Sequence, residues 1–198
     1  MQSRINGTIT VEKFLGKNRI TVGGCWQSGE HAERITKAML QTVPQPAERI
    51  KNILVLGVGG GSMINVINLF YPKAHITGIE IDPVMIAMGK KYLHLSKASS
   101  LDIVIEDARE FVKTWKRSTF DLIFLDLYVG CEEPAFLVTK DFLTNIQKIV
   151  GKKGSFVCNA SNLPVNKRRT EMLIVQLRQT FAKVAVFHLP PNVIICAS

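Results

Sequence analysis

An apolar run at residues 53–56, Ile-Leu-Val-Leu, breaks into Gly57-Val58-Gly59-Gly60-Gly61-Ser62, and a second run ends at Gly78-Ile79-Glu80-Ile81-Asp82-Pro83. A strand emptying into a glycine-rich turn, a helix, and a second strand tipped by an acid about twenty positions on make a βαβ nucleoside-binding unit. Glycines at 57, 59, 60 and 61 let the backbone approach a ligand where a Cβ would collide. The carboxylate of Glu80 can take both hydroxyls of a ribose. A glycine turn alone only tightens a strand-to-helix junction, so the acid in register is what points to a ligand.

The rest of the chain builds around that unit. Residues 7–14 and 19–24 alternate apolar and polar about Gly16-Lys17-Asn18 and read as a β-hairpin. Ser28 is placed to cap a helix over 29–42, which Pro44 and Pro46 end. From residue 50, short apolar runs alternate with helical stretches. The predicted strands are 53–56, 75–80, 101–105, 120–126, 154–159, 184–188 and 192–197. The predicted helices are 62–70, 83–92, 108–116, 139–149 and 166–181, with Thr139 and Asn166 as N-caps and a turn bracketed by Gly151 and Gly154. Apolar strands between helices imply a parallel sheet covered on both faces. Leu189-Pro190-Pro191-Asn192 is too short for a helix, so the last two strands form an antiparallel hairpin at one edge. The fold class is α/β, a doubly wound, seven-stranded, mostly parallel sheet. Residues 1–44 form an N-terminal hairpin and helix packed on a 45–198 core.

At 198 residues, with 46% apolar and 21% charged side chains, the chain can bury a core without staples. No apolar run reaches the roughly 18–20 residues of a membrane span, and the N-terminus lacks the plan of a signal peptide. The four cysteines, 25, 131, 158 and 196, form no Cys-x-x-Cys pair and have no histidine at ligand spacing. Neither a metal site nor a disulfide is expected, and the location that follows is the cytoplasm. The net charge of +9 is spread over doublets at predicted helix ends and loops, without interleaved aromatics. A solvated basic surface explains it best; an anionic partner such as RNA is the alternative, and a homodimer is left open.

Three acids fall at successive strand ends: Glu80, Asp107 and Asp126. Such strand ends are where a doubly wound sheet binds ligands. Glu80 suits a ribose, Asp107 an exocyclic adenine amine, and Asp126 the reacting end. Asp107 also directly precedes a helix and would cap it. His31, His75, His94 and His188 are read as structural, and Cys131 has no neighbour that would lower its pKa.

These residues carry a family resemblance. The glycine turn, Glu80-Ile81-Asp82-Pro83, Asp107-Ala108-Arg109-Glu110-Phe111 and Phe120 to Tyr128 match, in order, the motifs of class I S-adenosylmethionine-dependent transferases of the spermidine synthase-like group. Pro134, Leu137, Thr139 and Phe142 continue the match. Trp26-Gln27-Ser28 after the hairpin is similar to the aminopropyltransferases, whose glutamine there contacts the nucleoside. The resemblance implies that Gln27, Gly57, Gly59, Gly60, Gly61, Glu80, Asp107 and Ala108 bind the cofactor and that Asp126 is catalytic, with no metal.

Two departures bear on the reaction. Aminopropyltransferases carry an aspartate at the place of Gly60, which repels the carboxylate of intact S-adenosylmethionine and so favours the decarboxylated cofactor. They carry another at the place of Val129, for gripping a diamine. Their Tyr-His-Glu run is also missing from residues 32–40, Ala-Glu-Arg-Ile-Thr-Lys-Ala-Met-Leu. The expected reaction is methyl transfer from S-adenosylmethionine to an unknown small or macromolecular acceptor. The alternatives are aminopropyl transfer from decarboxylated S-adenosylmethionine, and a non-catalytic nucleoside-binding or RNA-associated protein.

Overall fold

The computed structural model describes residues 1–95 and 100–198. Strands β1 (Gln2–Ser3), β2 (Gly7–Phe14), β3 (Lys17–Val22) and β4 (Cys25–Ser28) form an antiparallel sheet in chain order. Helix α1 (Glu30–Gln41) follows. Then come β5 (Asn52–Leu56), α2 (Ser62–Phe70), β6 (His75–Glu80), α3 (Pro83–Tyr92), β7 (Leu101–Ile105), α4 (Ala108–Thr114) and β8 (Phe120–Leu125). The chain ends with α5 (Lys140–Ile149), β9 (Val150–Ser161), α6 (Pro164–Thr180), β10 (Val184–Leu189) and β11 (Asn192–Ala197).

The large sheet has the order β10-β11-β9-β8-β5-β6-β7. Strands β5 to β9 pair in parallel, while β11 runs antiparallel to both β9 and β10. This is the doubly wound arrangement with a terminal hairpin that the sequence implies. Strand alternation divides the core. Leu54, Leu56, Ile123 and Leu125 pack against α4, α5 and α6 through Phe111, Phe142, Ile146 and Leu177. Ile53, Val55, Leu122 and Phe124 pack against α1 and α2 through Ile35, Met39, Ile64 and Ile67. The order reverses at β5, whose neighbours β6 and β8 lead in opposite directions, and this opens a crevice at the strands' carboxyl ends.

The N-terminal sheet buries Ile9, Ile20 and Val22 against Met85 and Met88 of α3. Polar contacts fix it above the crevice. Asp82 caps α3 by accepting from Val84 N at 2.9 Å, and its other oxygen accepts from Asn6 Nδ2 at 2.7 Å. Ser28 and Ser62 clasp the two units reciprocally: Gly60 N donates to Ser28 Oγ (2.7 Å) and Gly29 N to Ser62 Oγ (2.8 Å).

Three local expectations are corrected and one is met. The N-terminal hairpin is two strands of a four-stranded sheet, because Trp26-Gln27-Ser28 is itself strand β4. Ser28 does not cap α1, since its hydroxyl is committed to the glycine turn and Gly29 holds the cap position. The turn expected between Gly151 and Gly154 is present as a break inside β9, whose pairing with β8 jumps there from Phe120–Val150 to Leu122–Ser155. Asn166 is not an N-cap; α6 begins at Pro164, and Asn166 lies buried inside it.

Candidate active site

A cavity of about 550 Å³ occupies the crevice, lined by the ends of β5, β6, β8 and β9, by β4, and by the turn before β11. Of the nine residues singled out from sequence, Gln27, Gly57, Gly59, Glu80, Asp107, Ala108 and Asp126 line it, and Gly60 and Gly61 do not. A Cβ on Gly60 would stand 2.6 Å from Ile20 Cδ1 and 2.8 Å from Leu93 Cδ1, and one on Gly61 would strike Leu95. Both glycines accommodate packing of the hairpin and of the loop after α3. A side chain at the position that resembles the aminopropyltransferase aspartate would thus have to displace Ile20, Leu93 and the Ser28 hydroxyl.

Gly57 has a different reason to lack a side chain. Its φ of 95° is left-handed, and a Cβ would stand 2.1 Å from the carbonyl oxygen of Asp126. The β5 turn and the β8 end therefore approach backbone to backbone, which sets where Asp126 sits.

Glu80 ends β6, buried to 8% exposure. Its Oε2 accepts from Gly59 N at 2.8 Å and its Oε1 from Asp82 N at 3.0 Å. The carboxylate thereby braces the glycine turn while keeping lone pairs for a diol. Burial raises its pKa, and the backbone N–H groups of Asp82 and Gly59 oppose the rise. Asp107 does act as the cap of α4, accepting from Arg109 N at 2.8 Å. Its carboxylate also receives the Arg109 guanidinium at 2.6 Å, and this pairing holds its pKa below the ordinary value. Gln27 Nε2 donates to Gly130 O at 2.6 Å, tying β4 to the loop after β8.

Asp126 follows β8. Burial pushes its carboxyl up to about 6, and the hydrogen bond from Asn159 works against that rise. Asn159 Nδ2 donates to Asp126 Oδ1 at 2.9 Å, and Asn159 Oδ1 accepts from Asn192 Nδ2 at 2.9 Å. Nearby, Glu133 is buried; its Oε1 accepts from Ser161 N at 2.6 Å and from the Tyr128 hydroxyl at 3.3 Å. Asn166 fixes this loop, accepting from Glu133 N and donating to Cys131 O, and Arg169 donates to Glu133 O.

Sequence reasoning missed Asn159, Asn192, Tyr128 and Glu133. Only Asn159 had a local signal, as a polar residue inside the apolar run Phe156-Val157-Cys158-Asn159-Ala160. Val129, where a second carboxylate would grip a diamine, is half exposed and pairs only through its backbone, with Glu132.

The cysteine expectation is also corrected. Cys25 of β4 and Cys131 of the loop after β8 form a disulfide, with Cα atoms 5.5 Å apart, while Cys158 and Cys196 are free and buried. The partners lie 106 residues apart in sequence, so spacing could not reveal them. Both line the cavity. Among the described residues no helix is long and apolar enough to cross a membrane.

Comparison with known proteins agrees with this geometry. The chain is 32% identical over 174 residues to the eEF1A lysine and N-terminal methyltransferase homolog of Drosophila melanogaster, covering 79% of this chain and 25% of that protein. It is 31% identical over 128 residues to the polyamine aminopropyltransferase of Vibrio vulnificus, covering 64% of this chain and 42% of that one. The chain thus spans about a quarter of the fly relative and less than half of the bacterial one. The crystal structure of human Methyltransferase-like protein 13 in complex with SAH shares the fold, with a TM-score of 0.73 and 24% identity over 86% of this chain and 82% of that one. Residues 33–192 match the spermine/spermidine synthase domain, and the chain belongs to that family.

Proposed function

We propose that the chain is an S-adenosylmethionine-dependent methyltransferase acting on an amine of a macromolecular acceptor. The observation that carries this reading is the buried Asp126, held by Asn159 on the wall of a cavity that Glu80 also lines, with no second carboxylate at Val129. The similarity to proteins named as lysine and N-terminal methyltransferases supports the acceptor class.

The residues present fit the cofactor. Glu80 keeps acceptor capacity for a ribose, Ala108 and Ile81 offer apolar wall, and the cavity volume falls within the ~300–1,000 Å³ usual for small-molecule sites. S-adenosylmethionine, when bound, supplies an electrophilic sulfonium methyl. The protein aligns the acceptor nitrogen and excludes water. Asp126, ionised above about pH 6, accepts the proton that the nitrogen must lose to expose its lone pair.

Family membership and the Vibrio relative favour a second reading, aminopropyl transfer to a polyamine. The two are separated by incubating the protein with eEF1A and methyl-labelled S-adenosylmethionine, and in parallel with a diamine and the decarboxylated cofactor. Label on a lysine or N-terminal amine is the expected result. Aminopropyl product with no methyl incorporation would overturn it.

A further inference from the structure

Among the described residues two buried side-chain oxygens have no hydrogen-bond partner, Glu133 Oε2 and Asn192 Oδ1. Buried polar atoms are nearly always paired, so each such exception invites an explanation. Of the two residues, only Asn192 lines the cavity. It opens β11 opposite Ser161 of β9 and is 8% exposed.

Its orientation is dictated from Asp126. An ionised carboxylate only accepts, so Asn159 must turn its Nδ2 toward Asp126. That leaves Asn159 Oδ1 as an acceptor, which Asn192 satisfies with its own Nδ2. The remaining atom, Asn192 Oδ1, is fixed as a bare acceptor. Tyr128, on the same cavity, is turned the same way: its hydroxyl proton goes to Glu133, leaving the phenol oxygen's lone pairs free. The lining here therefore carries acceptors on two segments, Asp126 and Tyr128 after β8 and Asn192 at the start of β11. A nitrogen bearing hydrogens satisfies them, whereas a carboxylate would face only lone pairs.

We propose that Asn192 is a specificity-determining residue, whose Oδ1 accepts an N–H of the acceptor amine and so orients the nitrogen beside Asp126. This rests on the methyl-transfer reading above. The terminal hairpin then has a task beyond closing the sheet edge, since it brings this amide to the site.

The test uses two nucleosides and no acceptor. Sinefungin carries a primary amine in place of the sulfonium methyl, and S-adenosylhomocysteine carries nothing there. Their affinities are measured by calorimetry on wild type, Asn192→Leu and Asn192→Ser. Removing the acceptor oxygen should weaken sinefungin about tenfold, the worth of one hydrogen bond to a charged group, while S-adenosylhomocysteine stays within about twofold. Asn192→Ser removes that oxygen with less bulk than leucine and should match Asn192→Leu, so a fold defect in the leucine variant does not decide the matter. An unchanged ratio of the two affinities in Asn192→Ser overturns the proposal alone. Absence of binding of either nucleoside to wild type overturns the methyl-transfer reading and this proposal together.

Discussion

Asn159 Nδ2 donates to Asp126 Oδ1 at 2.9 Å, joining the carboxyl ends of two parallel neighbours, β9 and β8. The bond stabilises the charged form of Asp126, yet burial outweighs it and the carboxyl titrates at about 6 against an ordinary 3.8. Because the folded state holds the proton more tightly than the unfolded chain, ionisation costs stability. That cost is absent below about pH 3.8, grows between 3.8 and 6, and is full above 6.

Asp126→Asn should therefore be more stable than wild type at pH 7.5, by on the order of 1–3 kcal/mol, with the gain vanishing near pH 4. Urea unfolding at both pH values reads it. A variant destabilised at pH 7.5 would show that Asp126 is not the strained group described.

Glu80 braces the glycine turn and faces the cavity, so two substitutions are needed to separate the roles. Glu80→Ala should weaken S-adenosylmethionine binding by roughly ten- to a hundredfold, the worth of a charge-assisted contact to a diol. Glu80→Gln keeps an oxygen for Gly59 N but sets its NH2 against the Asp82 N–H, so it should lower the unfolding midpoint while still folding, and the folded protein should lose most of that affinity. Wild-type affinity in a folded Glu80→Gln would remove Glu80 from the ribose site.

The glycine turn makes a sharper case at Gly57 than at Gly60. A methyl at 57 must displace the Asp126 carbonyl, 2.1 Å from the ideal Cβ position. Gly57→Ala should lose nucleoside binding and stability together, by a few kcal/mol. Gly60→Ala presses on Ile20 and Leu93 instead, so it should destabilise while sparing nucleoside affinity in whatever remains folded. Equal loss of affinity at both positions would contradict the assignment of Gly60 to packing.

The Cys25–Cys131 bridge closes a loop of about a hundred residues, for which the chain-entropy account gives up to ~4.7 kcal/mol and typical measurements 2–4. Reductant, or Cys131→Ser, should lower denaturant stability by that order. Intact-mass counting of alkylated thiols under native, non-reducing conditions should find none, because Cys158 and Cys196 are buried. Two alkylated thiols on Cys25 and Cys131 would show the pair reduced.

Much of this architecture is legible in the chain because local patterns carry it. The run 53–62 and the acid at 80 specify β5, the turn and the tip of β6 without reference to distant residues. Asp126 is legible in the same way, as the first polar residue after Leu122-Ile123-Phe124-Leu125. What sequence hides is pairing across long separations. Nothing near Asn192 announces that it meets Asn159, and Cys25 gives no sign of Cys131. Ser28 and Asn166 look like helix caps, since caps are the commonest use of those residues before helical patterns. In the fold each is taken by a tertiary partner, the glycine turn for Ser28 and the Glu133 loop for Asn166. Gly60 was legible as a glycine but not as a packing one, because the side chains that fill its space come from β3 and from the end of α3.

Methyl transfer rather than aminopropyl transfer is the central claim, and side-by-side calorimetric titration with S-adenosylmethionine, its decarboxylated form and methylthioadenosine tests it most directly. With glycine where an excluding aspartate would stand, and no acid at Val129, intact S-adenosylmethionine should bind at least as tightly as the decarboxylated cofactor, and both more tightly than methylthioadenosine. A preference of tenfold or more, about 1.4 kcal/mol, for the decarboxylated form would contradict the account and put polyamine chemistry in its place.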